Sequence, residues 1–258
     1  MTSSENMPRL TILKLLPNFI TILSLIIGIS SLQFAFLGDW QKAVACVMFA
    51  ALLDGIDGRV ARALNASSNF GAQLDSFCDF NNFGLVPALL IYLWSAQYLS
   101  NKVLLWSSSI FFIICMATRL ARFNLLSFEG KIDNIRGKYF FIGVPAPVGG
   151  LLALMPIIID FDIATTFDLN IHKSKFYLLI HMFVIGFLLA STLPTFSIKH
   201  LEIKAEYVWL VFLFFAFIIL SIILYTWHAL PILGLIYLSS IPISYLAYAK
   251  FNNNKIDI

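Results

Sequence analysis

The chain alternates between long apolar runs and short polar breaks. Eight apolar runs can be drawn, at about 16–36, 43–64, 70–95, 103–124, 145–160, 176–194, 207–227 and 229–249. A helix needs roughly 20 apolar residues to cross the hydrocarbon core of a bilayer. The fifth run is short and begins at Pro145 and Pro147, which suit the first turn of a helix. The pattern predicts an all-α polytopic membrane protein of about eight transmembrane helices, folded as one domain over residues 1–258.

The composition supports a membrane protein and excludes several other classes. Of the 258 residues, 60% are hydrophobic and 12% are charged, and the mean hydropathy is +0.87. An ordinary soluble domain has about 25% charged residues. The three cysteines lack the C-x-x-C spacing of zinc sites, and no basic run or aromatic-basic surface suggests nucleic acid as a partner.

The distribution of lysine and arginine predicts the orientation, because cytoplasmic loops carry an excess of these residues. If the N-terminus lies in the cytoplasm, 13 lysines and arginines fall on the cytoplasmic side of the membrane and 4 fall on the other side. The first group is Arg9, Lys14, Arg59, Arg62, Arg119, Arg122, Lys131, Arg136, Lys138, Lys199, Lys204, Lys250 and Lys255, and the second is Lys42, Lys102, Lys173 and Lys175. We therefore expect an inner-membrane protein with both termini in the cytoplasm.

Charge is concentrated in the stretch LLDGIDGRVARALNASSNFGAQLDSFCDF, residues 52–80, which carries four aspartates and two arginines. The polar break NASSN at 65–69 predicts that the second and third runs form an antiparallel hairpin over about 43–95. Folding the chain at this break places aspartates opposite one another at equal depth, Asp57 with Asp75 and Asp54 with Asp79. At 100° per residue, the aspartates of each helix also share one face.

Small residues accompany these aspartates on the same helical faces. Gly58 and Ala61 lie on the stripe of the second run, and Gly71 lies on that of the third. Their lack of bulk would leave a groove beside the carboxylates. It would equally allow the helices to pack closely, as small residues do in membranes.

Four carboxylates in an apolar setting are costly unless a cation binds them. A charged residue costs about 2.5–3.5 kcal/mol at mid-membrane, and two carboxylates about 5 Å apart repel by roughly 3 kcal/mol at an effective dielectric of 20. The two arginines of the stretch, Arg59 and Arg62, cannot neutralise four aspartates. Carboxylate oxygens are the ligands that Mg²⁺ and Mn²⁺ prefer, and paired ions suit phosphoryl chemistry. The stretch therefore predicts a divalent-metal site.

At these residues the sequence resembles a known family. Asp54-x-x-Asp57-Gly58-x-x-Ala61-Arg62-x8-Gly71-x3-Asp75-x3-Asp79 is similar to the signature of the CDP-alcohol phosphotransferases. Four further segments resemble the CDP-diacylglycerol–serine O-phosphatidyltransferases of that family. They are LPNFIT at 16–21, Phe83-Gly84 with Pro87-Ala88 after the last aspartate, RLARFN at 119–124 and FFIGVPAPVGG at 140–150, so the resemblance covers most of the first 150 residues.

The resemblance implies a helical bundle that transfers a phosphatidyl group from CDP-diacylglycerol to L-serine and releases CMP. It implies Mg²⁺ or Mn²⁺ as cofactor, membrane lipids as surroundings and a homodimer as the assembly. The metal ligands implied are Asp54, Asp57, Asp75 and Asp79, and Asp79 is also the implied general base. The residues implied to bind nucleotide and phosphate are Gly58, Ala61, Arg62 and Gly71.

The acceptor site is predicted from a different set of residues. The carboxylate of serine needs positive charge, and Arg119 and Arg122 supply it at the end of the fourth run, beside Asn124. The same arginines also fit the positive-inside rule or binding to anionic lipid. Asn82 lies on the aspartate stripe, at a position where family members often have serine.

Other readings remain open at this point. The acceptor could instead be glycerol 3-phosphate, an inositol phosphate or choline. Phe80 stands where phosphatidylglycerophosphate synthases often have lysine, which argues against that activity. A transporter would also use membrane carboxylates, but it would commonly show internal repeats, and none is evident.

Overall fold

A computed structural model describes residues 12–99, 102–128, 140–161, 174–196 and 205–253. The α-helices are α1 (Leu16–Phe36), α2 (Trp40–Ala63), α3 (Asn69–Asp79), α4 (Val86–Ser95), α5 (Lys102–Phe128), α6 (Ala146–Ala153), α7 (Met155–Phe161), α8 (Lys175–Ala190), α9 (Val208–Leu224) and α10 (Thr226–Asn253). A π-helical segment, Phe80–Leu85, joins α3 to α4, and short 3₁₀ turns, Ile12–Leu15 and Ala205–Tyr207, precede α1 and α9.

Each predicted apolar run contains a helix or a pair of helices. Within the described part of the chain, four helical segments are long and apolar enough to cross a membrane, namely Leu13–Phe36, Asn69–Ser95, Lys102–Ser127 and Thr226–Lys250. Two shorter apolar helices are Phe176–Ala190 and Val208–Leu224. These findings confirm a helical membrane protein. That all eight runs cross the bilayer stays a prediction.

Two short strands depart from the all-α prediction. β1 (Phe140–Ile142) pairs antiparallel with β2 (Pro194–Phe196). The predicted sixth run extends to residue 194, whereas its helix, α8, ends at Ala190. Proline is disfavoured inside a helix, because it lacks the backbone N–H and its ring clashes with the preceding turn. Pro194 lies beyond the end of α8 and belongs to the strand that follows.

Helix α1 packs along α2 through a stripe of small and polar residues. The buried positions of α1 recur every three or four residues, at Pro17, Thr21, Ser24, Gly28, Ser31 and Ala35. The Ser24 hydroxyl donates a hydrogen bond to the Ala50 carbonyl oxygen of α2, at 2.9 Å. Residues without bulk let two membrane helices approach closely, and this contact fixes α1 beside the aspartates of α2.

The NASSN break forms the turn between α2 and α3. Asn65 adopts a left-handed conformation, with φ of 48°, in which asparagine is among the better-tolerated residues. Ser68 caps α3, because its side chain accepts a hydrogen bond from the Gly71 N–H at 3.0 Å. Helix α3 also packs on α1, the helix that packs along α2. Helix α1 therefore contacts both arms of the predicted hairpin.

The π-helical segment lies at the centre of the bundle. Asn82, Phe83 and Gly84 are buried there. A Cβ added at Gly150 of α6 would lie 2.8 Å from the Phe83 Cα, and one added at Gly28 of α1 would overlap the Asn82 amide. Only glycine permits these approaches. Single π-turns inside helices occur often at functional sites, and this one directly follows Asp79.

Candidate active site

Helices α2 and α3 bring three of the four aspartates together. One carboxylate oxygen from each of Asp54, Asp57 and Asp75 lies within 4.8 Å of the others. The helical spacing explains this convergence, since Asp54 and Asp57 are three residues apart and therefore share a face of α2. Three like charges at these separations repel strongly unless a cation lies among them.

Asp79 lies at the edge of this cluster. Its carboxyl group is beside that of Asp54. Its Oδ1 atom is buried and has no hydrogen-bond partner within the described part of the chain. The Arg119 guanidinium of α5 is close enough to interact electrostatically with it. A buried carboxylate oxygen without a partner is costly, so Asp79 is ready to accept a hydrogen bond from a ligand.

Asp57 is held in one orientation by α1 and by its own helix. The Thr21 Oγ1 lies 2.6 Å from Asp57 Oδ2, and it also lies 3.0 Å from the Pro17 carbonyl oxygen. A hydroxyl has a single proton, and the shorter contact to a charged acceptor is the stronger one. Asp57 Oδ1 accepts a hydrogen bond from the Gly58 N–H. Thr21 thus positions a carboxylate of the cluster.

We expect Thr21→Val to lower kcat about tenfold, because a hydrogen bond to a charged group contributes roughly 1.5–3 kcal/mol and 1.4 kcal/mol corresponds to tenfold. Valine has nearly the same shape as threonine, so the substitution removes only the hydroxyl that orients the Asp57 carboxylate. Thr21→Ser, which keeps the hydroxyl, is the matched control. Steady-state kinetics on both variants check the prediction, and a wild-type kcat for Thr21→Val would contradict it.

A cavity of about 160 Å³ opens beside the aspartates. Its lining comes from α1, α2, α3 and the turn between the last two, and comprises Pro17, Asn18, Thr21, Asp57, Gly58, Ala61, Ala66, Ser67, Ser68, Gly71, Ala72 and Asp75. Three of the four residues predicted to bind nucleotide and phosphate therefore line one groove. The fourth, Arg62, is exposed, and its Nη1 would lie 4.0 Å from a Cβ added at Gly58.

The two glycines of this cavity differ in what surrounds them. A Cβ at Gly58 would meet nothing closer than the Arg62 side chain, so helix packing does not require glycine there. A Cβ at Gly71 would lie 3.0 Å from Asn18 Oδ1 and 3.2 Å from Ser68 Oγ, so close packing does favour glycine at that position. The groove explanation therefore applies to Gly58, and the packing explanation applies to Gly71.

The donor set of the cluster fits a hard divalent cation. All the converging atoms are carboxylate oxygens, which Mg²⁺ and Mn²⁺ prefer over nitrogen or sulfur. Within the described ranges the one recorded ion pair joins Lys42 to Asp39, at the opposite end of α2. No salt bridge among the described residues neutralises the clustered aspartates, so a bound cation would have to do so.

The residues predicted for the acceptor site fall into two groups. The Arg119 Nε donates a hydrogen bond to the Val144 carbonyl oxygen, and its guanidinium lies near Asp79. Arg122 instead donates from both terminal nitrogens to the Ala190 and Ser191 carbonyl oxygens, at 2.8 Å each. Arg122 therefore satisfies the C-terminal carbonyls of α8, which no helix satisfies internally.

Asn82 and Asn124 are both engaged within the protein. Asn82 is fully buried, and its Nδ2 donates to Ser24 Oγ at 3.0 Å. Asn124 Oδ1 accepts a hydrogen bond from the Ser76 hydroxyl of α3, at 3.0 Å. Asn82 thus connects the π-helical segment to α1, and Asn124 connects α5 to the helix that carries Asp75 and Asp79. Their predicted contact with the acceptor stays a prediction.

Residues 14–236 match the family model described as CDP-alcohol phosphatidyltransferase. A protein of Mycobacterium leprae, named CDP-diacylglycerol–serine O-phosphatidyltransferase, is 33% identical over 247 residues, which cover 94% of this chain and 78% of that protein. Proteins of the same name from Mycobacterium bovis and Helicobacter pylori strain 26695 are 41% and 36% identical over 147 and 150 residues. These two alignments cover 55% and 57% of this chain and 50% and 59% of the relatives.

Proposed function

Because the chain belongs to the CDP-alcohol phosphatidyltransferase family, we propose that it transfers the phosphatidyl group of CDP-diacylglycerol to L-serine, giving phosphatidylserine and CMP. The observation that carries this proposal is the cluster of Asp54, Asp57 and Asp75, whose ligand atoms lie within 4.8 Å of one another beside a cavity. The names of the relatives support serine as the acceptor.

The three clustered aspartates are proposed to hold Mg²⁺ or Mn²⁺. A bound divalent cation would neutralise charge on the pyrophosphate of the donor, which is the chemistry that phosphoryl transfer requires. Gly58 and Ala61 leave space for the nucleotide against α2, with Gly71 on the facing wall. Arg62, exposed beside Gly58, is proposed to contact a phosphate.

Asp79 is proposed to act as the general base. It takes the proton of the serine hydroxyl as that oxygen bonds to the phosphorus nearest the diacylglycerol. The bond from this phosphorus to the bridging oxygen breaks, and its electron pair leaves with CMP. A hydroxyl is a weak nucleophile until a positioned base assists it. The buried and unpartnered Oδ1 of Asp79 supports this role.

The arginines favour a carboxylate acceptor over a phosphorylated one. Both terminal nitrogens of Arg122 are used by carbonyl oxygens, whereas Arg119 is bonded to the described residues only through Nε. Of these two arginines, only Arg119 keeps terminal donors that the described residues do not use, and one guanidinium matches one carboxylate better than the dianionic phosphate of glycerol 3-phosphate or an inositol phosphate. Choline carries no anionic group that the Arg119 guanidinium could bind. Offering these alcohols separately with CDP-diacylglycerol tests the choice: serine should give the highest kcat/KM, and a higher value for another alcohol would overturn it.

The open cavity at Gly58 leads to a prediction for donor binding. We expect Gly58→Leu to raise the KM for CDP-diacylglycerol at least about tenfold, because the new side chain would project into the groove. Gly55→Leu is the matched control, since a Cβ there meets nothing within 4 Å and Gly55 does not line the cavity. Leucine favours a helix over glycine by up to about 1 kcal/mol, so neither variant should be less stable. Equal donor KM values for the two variants would contradict the prediction.

We propose that both termini and the aspartate cluster face the cytoplasm at the inner membrane. The excess of lysine and arginine on that side supports this orientation. Eight of the residues counted, Arg9, Lys131, Arg136, Lys138, Lys173, Lys199, Lys204 and Lys255, lie outside the described residues. A cysteine placed at the exposed Ser67 should react with a membrane-impermeant reagent in inverted vesicles and not in spheroplasts. The opposite result would reverse the orientation.

The assembly is proposed to be a homodimer, as the family resemblance implies. The mass of the detergent-solubilised protein, corrected for bound detergent, tests this directly. A mass near twice the 29.0 kDa of one chain is expected, and the mass of a single chain would overturn the proposal.

A further inference from the structure

The hydroxyl of Tyr237, on α10, is a buried polar group that none of the roles above uses. Its Oη atom is inaccessible and has no hydrogen-bond partner within the described part of the chain. The residue lines a cavity of about 250 Å³ whose other walls are apolar side chains of α6, α7 and α10. A buried hydroxyl without a partner costs roughly 1–3 kcal/mol. Phenylalanine would avoid this cost, so the hydroxyl calls for a partner from outside the chain.

Polar groups of the site lie on one side of this hydroxyl. Arg119 is close enough to interact electrostatically with both Tyr237 and Asp79. Thr195 of β2 lies beside the Tyr237 hydroxyl and donates its own proton to the Gly143 carbonyl oxygen at 3.0 Å. Its oxygen could accept from the phenol only with a change of geometry, because the Tyr237 Oη makes no hydrogen bond to the described residues. Tyr237 therefore lines the apolar cavity and lies within electrostatic range of the Arg119 guanidinium.

One hydrogen bond holds the Arg119 side chain in place and leaves its other donors for a ligand. The Val144 carbonyl oxygen accepts the hydrogen bond of Nε. Among the described residues, no bond is recorded for the two terminal nitrogens, which are the pair that binds carboxylates side by side. Arg119 thus interacts electrostatically with both the Asp79 carboxylate and the Tyr237 hydroxyl.

We propose that Tyr237 binds the acceptor, donating a hydrogen bond to the carboxylate that Arg119 neutralises. The inference rests on the proposed function and extends it to a residue of the last helix. Serine has a hydroxyl at one end and a carboxylate at the other. With the hydroxyl at Asp79, the carboxylate meets Arg119 and Tyr237, and the orphaned phenol gains its partner. This arrangement selects amino-acid acceptors over alcohols that lack a carboxylate.

The test compares Tyr237→Phe with Tyr245→Phe in the purified full-length protein. Tyr245 lies on the same helix and is 52% exposed, so it controls for loss of a tyrosine hydroxyl on α10. CMP release is measured against serine at saturating CDP-diacylglycerol and Mn²⁺, and then against CDP-diacylglycerol at saturating serine. We expect Tyr237→Phe to raise the KM for serine about tenfold, which corresponds to 1.4 kcal/mol. Its kcat and donor KM should stay within about twofold of the wild type.

Two further readouts separate acceptor binding from a structural role. The inhibition constant of ethanolamine, which resembles serine without its carboxylate, should be the same for the wild type and Tyr237→Phe. The Tm of Tyr237→Phe should equal or exceed that of the wild type, because an unpartnered buried hydroxyl has been removed.

Several outcomes would overturn the inference. They are an unchanged KM for serine, an equal rise in Tyr245→Phe, a lowered Tm, or a rise confined to the KM for CDP-diacylglycerol. The last would assign Tyr237 to the lipid, whose acyl chain the adjoining apolar cavity could hold. Failure of the proposed function looks different, since the wild type itself would then release no CMP in response to serine.

Discussion

Asp79→Asn is expected to lower the rate of serine-dependent CMP release by roughly a hundredfold to ten-thousandfold. A positioned general base contributes a factor of this size, and asparagine keeps the shape of the side chain without its ability to take a proton. Asp79 Oδ1 is buried without a described partner and lies near Arg119, as expected of a group that receives a proton from a bound acceptor. The measurement is the steady-state release of CMP from CDP-diacylglycerol.

The same variant separates the base from the metal ligands. Because Asp79 lies outside the cluster of Asp54, Asp57 and Asp75, Asp79→Asn should still be stabilised against heat by Mn²⁺. Asp39→Asn is the matched control, since Asp39 pairs with Lys42 at the other end of α2 and should not affect turnover. Near-normal turnover of Asp79→Asn would refute the assignment of the base. Loss of the response to Mn²⁺ would move Asp79 into the metal site.

Asp75→Asn is expected to abolish most of the activity, with a loss of at least about a hundredfold, and to change stability in a direction that depends on the metal. Without divalent ions, the variant should unfold at a higher temperature than the wild type. Two carboxylates about 5 Å apart repel by roughly 3 kcal/mol at an effective dielectric of 20, and the substitution removes one of the charges that meet in the cluster.

Addition of Mn²⁺ should reverse this order of stability. A ligand at 100 times its Kd stabilises a folded protein by about 2.7 kcal/mol, and Asp75→Asn should lose most of that gain. Thermal unfolding in detergent, with Mn²⁺ and with a chelator, gives the comparison. If the variant responded to Mn²⁺ as the wild type does, Asp75 would not be a ligand. A lower Tm in chelator would mean that the cluster is not under electrostatic strain.

The sequence predicts the helices well because bilayer length and hydropathy determine them. The runs at 16–36 and 103–124 correspond closely to α1 and α5. The sequence predicts that four aspartates converge, and three of them, Asp54, Asp57 and Asp75, do so in the structure. Its hairpin of α2 and α3 stays a prediction, and a pairing rule for neighbouring helices does not reveal that α1 packs against both of them.

The contributions that the sequence does not reveal come from distant segments. Thr21 belongs to LPNFIT, a segment that carries the family resemblance, but only the fold shows that its hydroxyl meets Asp57. From their spacing, Arg119 and Arg122 are equally good candidates for binding the acceptor. They differ in the structure because Arg122 donates to carbonyl oxygens at the end of α8. Tyr237 is one of nine tyrosines, and no local pattern marks it.

The central claim is that the aspartate cluster uses a divalent cation to transfer phosphatidyl to serine. It is tested most directly by measuring CMP and phosphatidylserine together, using purified protein, CDP-diacylglycerol and serine, with Mn²⁺, with Mg²⁺ or with a chelator. We expect equal amounts of both products with at least one of the two metals, and neither product in chelator or without serine. Equal release in chelator, or CMP release without phosphatidylserine, would contradict it.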